Sequence, residues 1–170
     1  KELEATPKEI HRSFGRALRR TAGTLRKESS KGLQSELGLR RAKALRRRLK
    51  DFRLKRGQGL DEVKIWYGLN DLPVSEFKGQ LSQTSSGAQH RGKTGTHTIK
   101  DGFIRKKGGR GKRTILRRLK RSSYPVAEAT LPIQDKAAVF VEDEIFVKTE
   151  DIFWRAFRDD LTRRVAYLRG

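Results

Sequence analysis

The chain has 170 residues, 41 Lys+Arg against 20 Asp+Glu, and a formal net charge of +21. It has no Cys, which rules out disulfides, thiol nucleophiles and Cys-based zinc sites. Its longest apolar runs, about five residues, fall far short of the roughly 20 that a membrane helix needs, so no membrane partner is expected. Leu, Ile, Val and Phe recur in ordered patterns, and the 34% of hydrophobic residues suit one small core.

Thr6-Pro7-Lys8-Glu9 reads as a helix start, with Thr6 as N-cap, Pro7 in the first turn and Glu9 closing a capping box. Ile10, Phe14, Ala17, Leu18, Ala22 and Leu25 then follow at helical spacing, predicting a helix from about Pro7 to Lys31. Gly32 is expected to interrupt it, with a short helical turn over Leu33–Leu37. A second helix is predicted from Leu39 to Arg53, with Ala42, Leu45, Leu49 and Phe52 on one face. Val63–Leu69 is β-branched and aromatic and predicts a strand, followed by turn residues Asn70-Asp71-Leu72-Pro73. Gln80–Gly95 is polar and reads as a mobile loop.

Strands are predicted at Thr96–Ile99, Gly102–Lys106 and Arg113–Leu119, with Gly108-Gly109-Arg110-Gly111 as a hairpin tip and Pro125–Leu131 as a further extended piece. Val139–Val147 fits a strand by alternation, yet Asp143-Glu144 in its middle suits a helix or turn. Thr149–Leu168 is a helix, with Phe153, Phe157, Leu161, Val165 and Leu168 as its packed stripe. The expected fold is α+β: long N-terminal amphipathic helices, a small antiparallel sheet with a mobile loop, and a C-terminal helix. One domain is expected over residues 1–170. It comprises a basic helical region (1–56), a strand-rich region (63–133) and a C-terminal helical region (134–170).

Charge divides along the same lines. Residues 1–60 carry +13, residues 61–133 carry +9, and residues 134–170 carry −1. Arg40–Arg56 holds ten cations and one acid; Arg105–Arg121 holds ten cations and none. The candidate contact residues are Arg40, Arg41, Arg46, Arg47, Arg48, Arg105, Lys106, Lys107, Arg110, Lys112, Arg113, Arg117 and Arg118. Such segments attract phosphate backbones or line a seam with acidic neighbours, and both readings stand. Among aromatics only Phe52 falls inside them, against the interleaved stacking of single-strand binders. No RNA-recognition, KH or zinc-finger signature accompanies them.

Gly87-Ala88-Gln89-His90-Arg91-Gly92-Lys93-Thr94 matches the G-x-x-x-x-G-K-[ST] pattern of a phosphate-binding P-loop. Ala137–Val141 followed by Glu142-Asp143 imitates the acid-bearing strand that would hold magnesium. A P-loop needs a buried strand before it and a helix after it. Polar Gln80–Ser86 and the strand-like Thr96–Ile99 supply neither, so the match is a decoy. His11, His90 and His97 have no sequence-adjacent carboxylates with which to build a metal or catalytic site. Asp159-Asp160 and Glu142-Asp143-Glu144 read as solvated faces, since adjacent helical residues point about 100° apart. No enzyme chemistry, cofactor or small-molecule substrate is expected.

The chain resembles the prophage minor tail protein Z family, the tail-completion proteins of long-tailed phages. The likeness runs in order along nearly the whole chain. It begins with the basic helix bearing Phe14-Gly15-Arg16-Ala17-Leu18-Arg19-Arg20-Thr21-Ala22, then Ser35-Glu36-Leu37-Gly38-Leu39 and Arg46-Arg47-Arg48-Leu49. Lys64-Ile65-Trp66-Tyr67-Gly68-Leu69-Asn70-Asp71-Leu72-Pro73 follows, then Phe77, Gly102-Phe103-Ile104, Leu131-Pro132-Ile133 and the charged C-terminal helix. The resemblance implies a structural virion protein at the head-proximal end of the tail, made in the host cytoplasm and assembling with itself as a ring, commonly sixfold. Its implied neighbours are tail-terminator, tail-tube or head-connector proteins, with non-specific contact to genomic DNA. The alternative is a stand-alone, sequence-nonspecific nucleic-acid-binding protein.

Overall fold

Helix α1 (Pro7–Glu36) opens the fold in the computed structural model, which describes residues 5–54, 62–106, 112–119 and 125–169. Its start is the capping box read from sequence. The Thr6 N–H and hydroxyl both donate to Glu9 Oε2 at 2.7 Å, and the Glu9 N–H reaches Thr6 Oγ1 at 3.4 Å. Gly32 does not interrupt the helix, which continues to Glu36. A Cβ on Gly32 would lie 2.3 Å from the Phe140 ring, so this glycine makes room for packing and is no stop signal. The stop is Gly38, at φ +64°. The Gly38 N–H donates to Ser35 O (3.2 Å) and the Leu39 N–H to Gln34 O (2.9 Å), forming a Schellman motif.

The second predicted helix, Leu39–Arg53, is a correction. Only α2 (Lys43–Arg46) is helical, and β1 (Leu49–Leu54) is a strand. Lys, Arg and Leu favour helices, but six-residue antiparallel pairing with β2 (Glu62–Tyr67) outweighs that preference. Gln80–Gly95 is a second correction. It forms β4 (Gln80–Thr84) and β5 (Gly87–Gly92), joined in a three-stranded antiparallel sheet with β6 (Gly95–Lys100). Strand β3 (Leu72–Pro73) precedes them. Strand β7 (Gly102–Lys106), β8 (Arg113–Arg118) and β9 (Val126–Glu128) form another three-stranded sheet, and β10 (Thr130–Leu131) pairs with β3. The predicted tip Gly108–Gly111 lies outside the described residues. Val139–Val147 resolves as helical: α3 (Gln134–Phe140), a π-helical turn (Val141–Ile145) and a 3-10 turn (Phe146–Lys148) lead into α4 (Thr149–Arg169). Long helices with small antiparallel sheets make the fold α+β.

By its contacts the chain forms two units: Lys1–Ser30 with Arg48–Gly68 and Val141–Gly170, and Lys31–Arg47 with Leu69–Phe140. In the first, Ala17, Ala22, Leu25, Leu49, Val141, Ile145, Leu161 and Val165 are buried. Phe14 meets Phe153 edge-on (5.2 Å) and Phe157 (6.5 Å), while Phe153 and Phe157 stack at 6.0 Å. These phenyl rings are only half-buried, so the predicted α4 stripe is packed at Leu161 and Val165 and partly open at its aromatic end. The side chains of Phe52 and Leu168 lie outside the described residues. Ser29 Oγ sits 2.9 Å from the Tyr67 hydroxyl; burial pushes that phenol up, and the Ser29 hydrogen bond opposes it.

The second unit holds the denser core. Leu33, Leu37, Leu39, Leu45, Val74, Phe77, Ile115, Leu131 and Ile133 are all buried. Gln83 ties its two three-stranded sheets together. Its Nε2 donates to Gly87 O and Gly102 O (2.7 and 3.0 Å), and its Oε1 accepts from the Ile104 N–H at 3.2 Å.

Candidate polyanion-binding cleft

Strict alternation along β4, β5 and β6 gives their sheet two unlike faces. One face carries Leu81, His90 and His97 in one cross-strand row, and Gln83, Ala88 and Ile99 in the next. The other carries Gln80, Arg91 and Thr96, then Ser82, Gln89 and Thr98. The first face is buried at Ala88 and His90, which explains why so polar a segment folds as a strand pair.

The second face borders a cleft of about 820 Å³ within the second unit. Arg40, Arg91, Lys112 and Arg113 supply its charge, and Gln80, Ser82, Gln89 and Thr96 its neutral hydrogen-bonding groups. Among the described residues no carboxylate lines it, and Leu81 is the one large apolar residue of its lining. Arg40 follows the Schellman turn and is anchored twice: its N–H donates to Glu76 O (2.8 Å) and its Nε to Phe77 O (2.8 Å). Arg91 stands mid-sheet between Gln80 and Thr96. Lys112 and Arg113 lead into β8, both exposed. None of these four cations makes an ion pair among the described residues.

Fold thus unites one residue of the first basic segment with two of the second. The remaining candidates are placed elsewhere. Arg41, Arg46 and Arg47 are exposed around α2, and Arg48 leads into β1, its carbonyl accepting from the Gly68 N–H at 2.7 Å. Arg105, Lys106 and Arg117 are exposed on β7 and β8, and Arg118 lies over the Phe103 ring at 5.7 Å. Lys107 and Arg110 lie outside the described residues. Arg91 escaped the sequence reading because it sits alone in a polar stretch. A strand register placing it beside Gln80 is the signal that would have found it.

A second cationic group, in the first unit, is built differently. Arg16, Arg20, Arg163 and Arg164 surround Asp160, which is 6% exposed, in a cleft of about 360 Å³. Arg16 and Arg164 approach that carboxylate at 3.7 and 3.5 Å, and Arg164 Nε donates to Ser13 Oγ at 3.3 Å. Its positive charge is therefore partly neutralised from within.

The P-loop motif has no P-loop geometry. Gly87–Gly92 is strand β5, and Lys93-Thr94 is the two-residue turn of a hairpin whose ends, Gly92 and Gly95, pair. Lys93 Nζ donates to Ser35 O at 3.0 Å and pairs with Glu36 at 3.7 Å. Its carbonyl accepts from Lys136 Nζ at 2.9 Å. The backbone N–H groups a P-loop would aim at phosphate belong here to a sheet. Of the acids, Asp159, Glu142, Asp143 and Glu144 are exposed and Asp160 is paired as above. His11 is exposed on α1, and His97 Nε2 lies 3.2 Å from both Thr94 O and Thr94 Oγ1. Among the described residues no group of three His, Asp or Glu side chains is placed to hold a metal ion, and no helix is long and apolar enough to cross a membrane. Comparison with protein-family models, curated proteins and solved structures finds no match.

Proposed function

We propose that this chain is a structural virion protein of a long-tailed bacteriophage. It acts as a tail-completion or connector component at the head-proximal end of the tail. In this reading copies assemble as a ring, in the sixfold form that the resemblance implies, around the DNA passage and meet tail-terminator, tail-tube or head-connector proteins. The reading is carried by the ordered resemblance across nearly the whole chain. Two structural features support it. The cleft offers a polyanion four cations that make no ion pair among the described residues, and Trp66, Phe146, Val147 and Trp154 of the first unit are 45–66% exposed. In an assembly, neighbouring copies or rings would cover such side chains.

The test is electron microscopy of the purified protein together with deletion of its gene. Rings, and deletion particles whose tails fail to join heads, are expected. Normal infectious particles from the deletion would overturn the reading. The cleft also favours the second reading, a stand-alone nonspecific nucleic-acid binder. A protein that stays monomeric at high concentration and binds duplex would support that one instead.

A further inference from the structure

The four cations of the cleft come from three separated stretches of chain: Arg40, Arg91, and Lys112 with Arg113. Folding brings like charges together with no carboxylate among the described lining residues to relieve them, a juxtaposition that a bound anion stabilises. The neutral lining is made of hydrogen-bonding amides and hydroxyls, Gln80, Gln89, Ser82 and Thr96, which suit phosphate oxygens. Gln89 is itself steadied by its Nε2 donating to Thr98 Oγ1 at 3.1 Å.

What the cleft lacks narrows the partner. Among the described residues no aromatic lines it, so unpaired bases find no stacking platform there. A protein partner would be expected to anchor through buried aromatic or aliphatic side chains, and Leu81, the one large apolar residue of the described lining, is a poor receptor for them. We propose that this cleft grips the phosphodiester backbone of duplex nucleic acid, without reading its sequence. Arg91 and Arg113 are its principal phosphate contacts, and Arg40 and Lys112 stand beside them. The inference rests on the DNA-facing part of the function proposed above and is independent of ring formation.

Fluorescence anisotropy of the full chain with a mixed-sequence DNA duplex tests it. With three or four phosphate contacts, affinity should fall about 40- to 150-fold between 50 and 200 mM salt. Arg91→Gln/Arg113→Gln should weaken binding at least tenfold and reduce the log–log salt slope by about two. Lys112→Gln, an exposed single change, should reduce it by about one. A control with the same charge loss on exposed α1 residues, Arg12→Gln/Arg19→Gln, should change affinity less than about threefold, circular dichroism being unaltered throughout. Equal weakening by the two double variants would overturn the proposal, because charge alone would then explain binding. So would tighter, cleft-dependent binding of polyglutamate, which would identify an acidic protein partner. Rings without cleft-dependent duplex binding would remove this inference and leave the tail reading. Cleft-dependent binding by a protein that forms no ring would do the reverse.

Discussion

The imidazole of His90 stands edge-on to the Phe77 ring, their centroids 5.8 Å apart, with both side chains 1% exposed. His90 Nε2 lies 3.2 Å from Lys78 O, which can only accept, so this nitrogen carries the proton. Nδ1 is buried with no partner among the described residues. The site is therefore built for the neutral ring. Burial lowers the His90 pKa below its usual value; the Lys78 carbonyl opposes that, and His97 and Arg40 add to it.

That arrangement makes stability depend on pH. As pH falls below the ordinary histidine value of about 6.5, the unfolded chain takes up a proton that the native site resists. Stability is thus full above that pH and declines below it. Urea midpoints at pH 7.5 and 5.0 should show this decline, and His90→Gln should flatten it. Parallel losses in both proteins would show that other groups control the acid limb.

The two units should respond differently to loss of an aromatic ring. Phe77→Ala empties a fully buried site and should cost about 3–5 kcal/mol. Phe157 is only half-buried, so Phe157→Ala should cost roughly half as much. Urea denaturation of the two variants checks the ranking, and equal losses would contradict it.

Gly38 closes α1 in a left-handed conformation. Ala there would meet the αL penalty and bring its Cβ 2.9 Å from Lys93 Cβ. Gly38→Ala should lose about 1–2 kcal/mol, read as a lower thermal midpoint. An unchanged midpoint would mean that the turn can adopt another conformation.

Lys93 is a fastening between the hairpin turn and the end of α1, through Ser35 O and Glu36. Both Lys93 and Glu36 are partly exposed, so Lys93→Ala should cost less than about 1 kcal/mol. ATP with magnesium should leave the thermal midpoint of the wild type unmoved. A nucleotide-dependent rise that Lys93→Ala abolishes would restore the P-loop reading.

The sequence by itself determined what neighbours along the chain decide. The Thr6–Glu9 capping box, helices α1 and α4 and strand β7 were legible because their signals lie within a few residues of each other. Leu49–Leu54 was misread because its helix-favouring composition is outweighed by a partner strand that starts eight residues further on. Gln80–Gly95 reads as a loop because its inward strand positions are filled by Leu81, Ala88 and His90, a thin apolar signal completed by distant Phe77. Only the tertiary structure decided which of the +21 charges act together. Strand pairing and the α1 stop bring Arg40, Arg91, Lys112 and Arg113 to one cleft, while Asp160 is set among the arginines of another. Composition fixes how much charge a chain carries; long-range contacts fix where it is left unpaired.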